Sequence, residues 1–259
     1  NFRASLGFWD SPWVGFEHFI RFLTYPDFWK ILQNTLGISL YSLATFPCAV
    51  ILALLLNEVD NKFFKKSVQM ITYIPHFIST VVICSMVILF LNRSHGLINN
   101  ILTSFGREAV DFMTIPEYFS SIYVWSGVWS GIGWGAIIYF AALSNVPLEM
   151  IESAKIDGAT RLQILWHINI PSILPTIITM LILSTGQVLS VGFEKIFLLQ
   201  NSLNLETSRV ISTYVYEIGL QGGQFSYSTA IGLFNNIINI IVIIIVNNIS
   251  KKITSIGLW

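Results

Sequence analysis

An all-α polytopic membrane protein is the fold class this sequence predicts, on three observations. Of 259 residues, 54% are hydrophobic and only 11% charged, whereas soluble domains carry about a quarter of their residues as charges. Five runs of about twenty residues contain no Asp, Glu, Lys or Arg, enough for a helix to cross about 30 Å of hydrocarbon. Lysines gather in the short connections beside those runs, as cytoplasmic loops do. The formal net charge is zero, so no basic surface argues for nucleic acid and no acidic tail for a solvated segment. Cys48 and Cys84 lie inside apolar runs, where a thiol acts as a small hydrophobe, and they imply neither a disulfide framework nor a metal site.

Residues 1–32 mix aromatics with charges, including Trp9, Asp10, Trp13, Glu17, Arg21, Trp29 and Lys30, and read as an extracytoplasmic interfacial segment. Asn1 opens no signal-peptide pattern, and a segment upstream of it is expected. Residues 33–259 read as one transmembrane domain. The first span is 34–56, with a kink expected at Pro47. A short cytoplasmic loop, 57–69, carries Lys62, Lys65 and Lys66. The second span, 71–91, opens with Pro75, and the outer stretch 92–117 holds a short surface helix near Gly96 to Leu102. The third span is 118–143, followed by a polar island at 145–170 on the cytoplasmic side. The fourth span, 172–191, leads to an outer segment, 192–225. The fifth, 227–249, ends at Lys251 and Lys252. Seven of the 14 basic residues fall inside and seven outside, so the orientation rests on clustering in short inner loops.

The island carries its own punctuation. Pro147 suits the first turn of a helix, and Glu149 and Glu152 place negative charge near its positive end. Ser153 and Ala154 are small enough for another backbone to approach. Gly158, after Asp157, supplies a left-handed helix stop. Thr160 and Gln163 form a capping box that opens a second helix, with Leu162, Leu165, Trp166 and Ile168 as apolar anchors up to Pro171. Two short helices joined at a glycine bend result, and spacing alone fits an ordinary capped interfacial helix equally well.

Glu152, Ser153, Ala154, Asp157, Gly158 and Ala159, with Ile168, Ile170, Pro171 and Pro175, resemble the EAA loop of the membrane subunits of binding-protein-dependent ABC importers. Ser153 stands where that family usually has Ala, and Ile170 where it often has Leu; both keep the size or the apolarity. The strings Trp13 to Glu17, Tyr73 to Ser79, Gly96 to Asn99 and Gly192 to Leu199 are similar to the carbohydrate branch of these permeases, serving oligomeric or complex sugars. The resemblance implies a type I importer transmembrane domain in a multi-pass subunit of the bacterial cytoplasmic membrane. Five spans would lie in this chain and the first core helix would be missing. It implies coupling helices at 145–170, with Glu149, Glu152, Ser153, Ala154, Asp157, Gly158 and Ala159 docking on a cytoplasmic ATPase. The implied partners are a second permease, two ATPase subunits that bind the ATP and Mg, an extracytoplasmic solute-binding protein and a carbohydrate.

A sugar needs an aromatic face for its C–H side and polar groups for its hydroxyls. At about 100° per residue, Tyr123, Gly127, Ser130, Gly131 and Trp134 share one face of the third span, while Trp125 and Trp129 point away. Gly127, Gly131 and Gly135 at four-residue spacing also fit plain helix packing. In the fourth span Ser184, Gln187, Ser190 and Glu194 share a face by the same arithmetic, with Glu194 alternatively paired to Lys195 or Arg209 at the outer interface. Asn235, Asn236 and Asn239 of the last span fit either interhelical hydrogen bonds or the pathway.

There is no Gly-x-x-x-x-Gly-Lys-Ser/Thr phosphate loop, no His-Glu-x-x-His and no Gly-x-Ser-x-Gly, so the chain is not expected to be an enzyme or to hold a cofactor. His18, His76, His95 and His167 are scattered, without the clustering a metal site requires. Two alternatives remain open. A non-sugar ABC permease moving an anionic solute would want Arg or Lys within the spans, and none is there. An ATP-independent secondary transporter or intramembrane enzyme would bury ionisable groups in mid-membrane.

Overall fold

The computed structural model describes residues 5–7 and 9–259; residues 1–4 and 8 of the expected interfacial segment lie outside the described residues. Within them the chain is helical, without a β-strand. Four stretches are long and apolar enough to cross a membrane, Phe28–Asn57, Pro116–Ser144, Arg161–Thr185 and Phe225–Thr254, and a fifth is a bent pair.

In chain order, α1 (Glu17–Leu23) precedes α2 (Phe28–Ala44) and α3 (Pro47–Asn57), which together make the first span. The helix is interrupted where the kink was expected: Pro47 is the first residue of α3, and the N–H of Phe46 donates to the Leu43 carbonyl at 3.0 Å. The expected loop 57–69 is corrected. Asn61 accepts from the N–H groups of Phe63 and Phe64 at 3.0 Å and starts α4 (Lys62–Tyr73). That helix leads into a 3-10 turn, Ile74–Phe77, then an extended Ile78 and α5 (Thr80–Leu91). The second span is therefore not straight; its halves meet at 107°. Pro75 lacks the N–H that would continue the ladder, and α5 alone, at 1.5 Å per residue, reaches about 18 Å.

The surface helix α6 (Leu97–Ser104) falls where the sequence put it, and α7 (Phe119–Ser144) is one unbroken helix. The island supplies α8 (Leu148–Ile156) and α9 (Arg161–Ile164). A π-turn, Leu165–Asn169, joins α9 without a break to α10 (Ile170–Thr185). The fourth span thus begins inside the island and ends at Thr185, six residues before the expected Val191. Short helices follow, α11 (Phe193–Leu199), α12 (Leu205–Ser208) and α13 (Ile211–Tyr216), before the last span, α14 (Phe225–Thr254).

These elements divide into two compact units. The first holds residues 1–41, 84–123 and 186–243, the second 42–83, 124–185 and 244–259. In the first unit one cluster joins Phe22, Phe28, Ile31, Leu189, Tyr214 and Tyr227, and another joins Ile38, Cys84, Phe119, Val191, Ile196 and Leu199. Side-chain hydrogen bonds stitch its irregular parts. Thr35, fully buried, donates to the Ile31 carbonyl at 2.7 Å and accepts from the N–H of Ile211 at 3.0 Å. Asn34 donates to the Glu206 and Arg209 carbonyls at 2.9 and 3.0 Å. Asn99 donates to the Val110 carbonyl at 2.9 Å and accepts from the N–H of Val110 at 2.8 Å, closing the loop after α6.

In the second unit α3, α7 and α10 share a core of Val50, Ala53, Leu54, Ala136, Tyr139, Leu143 and Ile173. The tightest approach to α7 is at Gly133, outside the four-residue repeat, and Gly135 within the repeat is closely packed as well. A Cβ on Gly133 would run into the backbone of Thr72 in α4, one on Gly135 would sit 3.3 Å from Ala49, and one on Gly131 would meet open space. Gly133→Val should therefore cut the yield of folded protein in detergent severalfold, whereas Gly131→Ala should not, as fluorescence-detected size exclusion would measure.

Candidate functional site

The polar island forms a docking element with both ends closed. At the end of α8 the N–H of Gly158 donates to the Lys155 carbonyl at 3.1 Å and that of Ala159 to the Ala154 carbonyl at 2.9 Å, the paired bonds of a Schellman stop. Gly158 has φ +81°, the left-handed value the sequence required. Two residues later Thr160 caps α9: the N–H of Gln163 donates to Thr160 Oγ1 at 3.4 Å and the N–H of Thr160 to Gln163 Oε1 at 2.7 Å. Pro147 stands at the N-cap of α8, one position before the expected first turn, with Glu149 in that turn. Arg161 pairs with Asp60 at 3.0 Å, and Asn169 donates to Glu58 Oε1 at 3.3 Å, so the second helix is tied to the end of α3.

Glu149, Glu152, Ser153, Asp157 and Gly158 are exposed, and Ala154 and Ala159 half-buried. The apolar anchors need correction. Ile164 is the buried one, while Leu162 and Trp166 are 69% and 64% exposed and Ile156 86%. A small element whose loop is tightly capped yet leaves several large apolar side chains open offers a rigid surface for a partner.

The candidate solute residues fall in both units. In the second, Gly127, Ser130, Gly131 and Trp134 lie on α7, whose unbroken course is what the one-face arithmetic needs. Ser130 donates to the Gly127 carbonyl at 3.2 Å. Trp134 is 49% exposed, and its ring is not alone: His76 lies flat against it, 4.5 Å between centroids and 4° between planes, while Phe77 meets it edge-on at 5.7 Å and 84°. The sequence reading missed both partners. The signal was there, since His76 is the one histidine in a 71–91 run without Asp, Glu, Lys or Arg and sits in a string already noted as similar to sugar permeases. Trp125 and Trp129 are exposed on the other side of α7.

In the first unit, Tyr123 holds Lys195, whose Nζ donates to the Tyr123 carbonyl at 2.6 Å and lies 4.7 Å from its ring centroid. Burial pushes the Lys195 ammonium down to about 8. Gly192 is where the tyrosine hydroxyl fits; a Cβ there would lie 3.2 Å from it. Gln187, Ser190 and Glu194 do not share a helical face with Ser184, because α10 ends at Thr185. Gln187 and Ser190 stand exposed on an irregular segment, and Glu194 is exposed in the first turn of α11. Glu194 pairs with neither expected cation: Lys195 is taken by Tyr123, and Arg209 pairs with Asp27 and Glu217. Asn235 and Asn239 act as glue, donating to the Leu189 carbonyl at 3.0 Å and accepting from the N–H of Leu189 at 3.0 Å respectively.

A family model described as "Binding-protein-dependent transport system inner membrane component" matches residues 45–255. The chain is 43% identical over 260 residues to the polygalacturonan/rhamnogalacturonan transport system permease protein YteP of Bacillus subtilis (strain 168), covering 100% of this chain and 81% of that one. It is similar to a chain in the crystal structure of a bacterial ABC transporter involved in the import of the acidic polysaccharide alginate, with TM-score 0.90 and 42% identity over 94% of this chain and 86% of that one. A second such structure, of a bacterial alginate ABC transporter in complex with an alginate pentasaccharide-bound periplasmic protein, matches with TM-score 0.91 and 41% identity over 95% and 85%.

Proposed function

We propose, from the premise that this chain belongs to the binding-protein-dependent transport system inner membrane components, that it is the permease subunit of an ATP-driven importer of oligosaccharides from acidic polysaccharides. The observation that carries the mechanism is the capped two-helix island: its second helix continues without a break into the span ending at Thr185, so a push on the island moves that span. The cargo class rests on the polygalacturonan and alginate relatives. The partners are a second permease that completes the pathway, two cytoplasmic ATPase subunits on the 145–170 island and an extracytoplasmic binding protein. That last partner is supported by the alginate transporter bound to a periplasmic protein. In this orientation the start of α4 with Lys62, Lys65 and Lys66, the island and Lys251 with Lys252 face the bacterial cytoplasm.

The mechanism is alternating access. ATP binding closes the ATPase pair, the docked helices move with it, the cavity opens toward the binding protein, and hydrolysis resets it. A solute shifts such a cycle only by binding its states unequally. Glu149 and Glu152 present charge and Ser153 and Ala154 present low bulk to the ATPase, while Gly127, Ser130, Gly131 and Trp134 are the residues the second unit offers to the sugar; Tyr123, Gln187, Ser190 and Glu194 are those the first unit offers, each unit taken by itself.

The test is uptake by the full complex in proteoliposomes, with oligogalacturonates loaded on the binding protein. Trp134→Ala should slow ATP-dependent uptake about tenfold, about 1.4 kcal/mol, with ATPase association intact. Unchanged uptake removes Trp134 from the site. No uptake of any acidic oligosaccharide by the wild type overturns the cargo class.

A further inference from the structure

The start of α4 carries three lysines, Lys62, Lys65 and Lys66, and among the described residues none of them takes part in an ion pair. The carboxylates nearest in sequence are engaged elsewhere, Asp60 with Arg161 at 3.0 Å and Glu58 with the Asn169 amide at 3.3 Å. Two contacts set the depth of this helix. Lys65 Nζ lies 4.6 Å from the Phe140 ring centroid, and the Thr72 backbone is what a Cβ on Gly133 would strike. Each helix advances seven residues between these contacts, in opposite directions, so α4 runs antiparallel beside α7. The span that contains α7 ends at Ser144, four residues beyond Phe140. At 1.5 Å per residue Lys62 then lies within about 2 Å of the level of Ser144, and Thr72 about 16 Å below it. The lysines therefore stand at the rim of the membrane, and the rest of α4 descends into it.

At about 100° per residue, Lys65 and Thr72 share the face turned to α7, Phe63 and Met70 share the opposite one, and Lys62 and Lys66 lie between the two. The exposures agree: Phe63 is 83% and Met70 58% exposed, Lys62 and Lys66 are exposed, and Lys65 is half-buried. Helical side chains lean toward the N-terminus, which here is the rim. Lys62 and Lys66 thus extend their ammonium groups outward from apolar stems, while Phe63 and Met70 continue the strip inward. A cationic pair above an apolar strip matches one lipid, phosphate over acyl chain. A zwitterionic headgroup brings its own cation, whereas an anionic one leaves net charge for the lysines, which raises its affinity about fivefold for each. We propose that Lys62 and Lys66, with Phe63 and Met70, bind the headgroup and upper acyl chain of an anionic phospholipid. The site stands two residues from Asp60 and so beside the tie between α3 and the docking element. It rests on the membrane setting alone and goes beyond the importer reading.

The experiment titrates phosphatidylglycerol and phosphatidylcholine of equal chain length into the purified complex and counts bound lipid by native mass spectrometry. The wild type should hold phosphatidylglycerol at its tightest site at least about tenfold more strongly than phosphatidylcholine. Lys62→Gln with Lys66→Gln should weaken phosphatidylglycerol about tenfold or more and phosphatidylcholine less than about twofold. Lys66→Gln alone, a smaller perturbation of an exposed side chain, should give about a fivefold loss. Lys62→Arg with Lys66→Arg keeps the charge and should keep the preference, and so should Lys251→Gln with Lys252→Gln. A wild type without the preference overturns the site, as do glutamine variants that retain it. Arginine variants that lose as much as the glutamine ones overturn it too, since charge would not be the cause. An equal loss at Lys251 and Lys252 would make the effect one of general surface charge and overturn it as well. The readout needs neither sugar nor ATP, so its failure leaves the importer reading in place.

Discussion

Gly158→Val is expected to abolish coupled transport while the protein still inserts in the membrane. Gly158 has φ +81° and nothing within 4 Å of where a Cβ would stand, so the damage comes from the backbone and not from a clash. A β-branched residue is a genuine outlier in the left-handed region, at a cost of about 1–2 kcal/mol. The nine residues of α8 are too few to stay helical unaided, and their stop depends on the two amide bonds that the left-handed residue aims. Losing them lets α8 fray and turns α9 away from it. Uptake should fall at least about tenfold, with ATPase subunits either absent from the purified complex or hydrolysing ATP without transport. Gly158→Asn is the control, because Asn enters the left-handed region at lower cost, and it should keep most activity. Wild-type uptake together with wild-type ATPase association in Gly158→Val would remove the island from coupling.

What the sequence made legible here was local. The glycine stop, the Thr160 capping box and the helix break at Pro47 each depend on residues within one turn, and each stands where it was read. Long apolar runs likewise announced α7 and α14. The misreadings share a physical cause. Lys62, Lys65 and Lys66 were counted for topology and so taken as a loop, yet they lie on one amphipathic helix whose aromatic neighbours Phe63 and Phe64 are exposed. Pro75 marked a break, but a proline alone does not say whether a helix kinks slightly or turns by 107°. Among the glycines of α7, only the neighbours decide which one packs, and Thr72, sixty-one positions before Gly133, is invisible to spacing. The candidate site was half legible for the same reason: Trp134 could be placed on a face of α7, whereas the rings that stack on it come from another helix.

Asn239→Leu should destabilise the protein more than any other single change in the last span. The fourth span stops at Thr185 although the apolar run continues, and the segment after it leaves main-chain groups without helical partners. In a membrane no water replaces them, so irregular backbone survives only where protein groups satisfy it. Leu189 is 2% exposed, and its N–H donates to Asn239 Oδ1 at 3.0 Å. The Asn239 amide donates in turn to Ser190 Oγ at 2.9 Å, and Asn235 reaches the Leu189 carbonyl at 3.0 Å. Leucine keeps the branched outline of asparagine but is larger and carries no polar atom, so the change removes every hydrogen bond that the Asn239 side chain makes. A buried donor left unsatisfied costs about 1–3 kcal/mol, and for a chain of this size about 2 kcal/mol lowers Tm by about 4–8 °C. Asn236, exposed on the same helix, is the internal control: Asn236→Leu should leave Tm within about a degree. Thermal unfolding of the detergent-solubilised complex measures both. Equal shifts would mean that asparagines of this helix act through general polarity, and the clamp on Leu189 would lose its part in ending the fourth span. A large shift confined to Asn239→Leu would tie the unwound segment, and with it the exposed positions of Gln187 and Ser190, to one side chain fifty residues away.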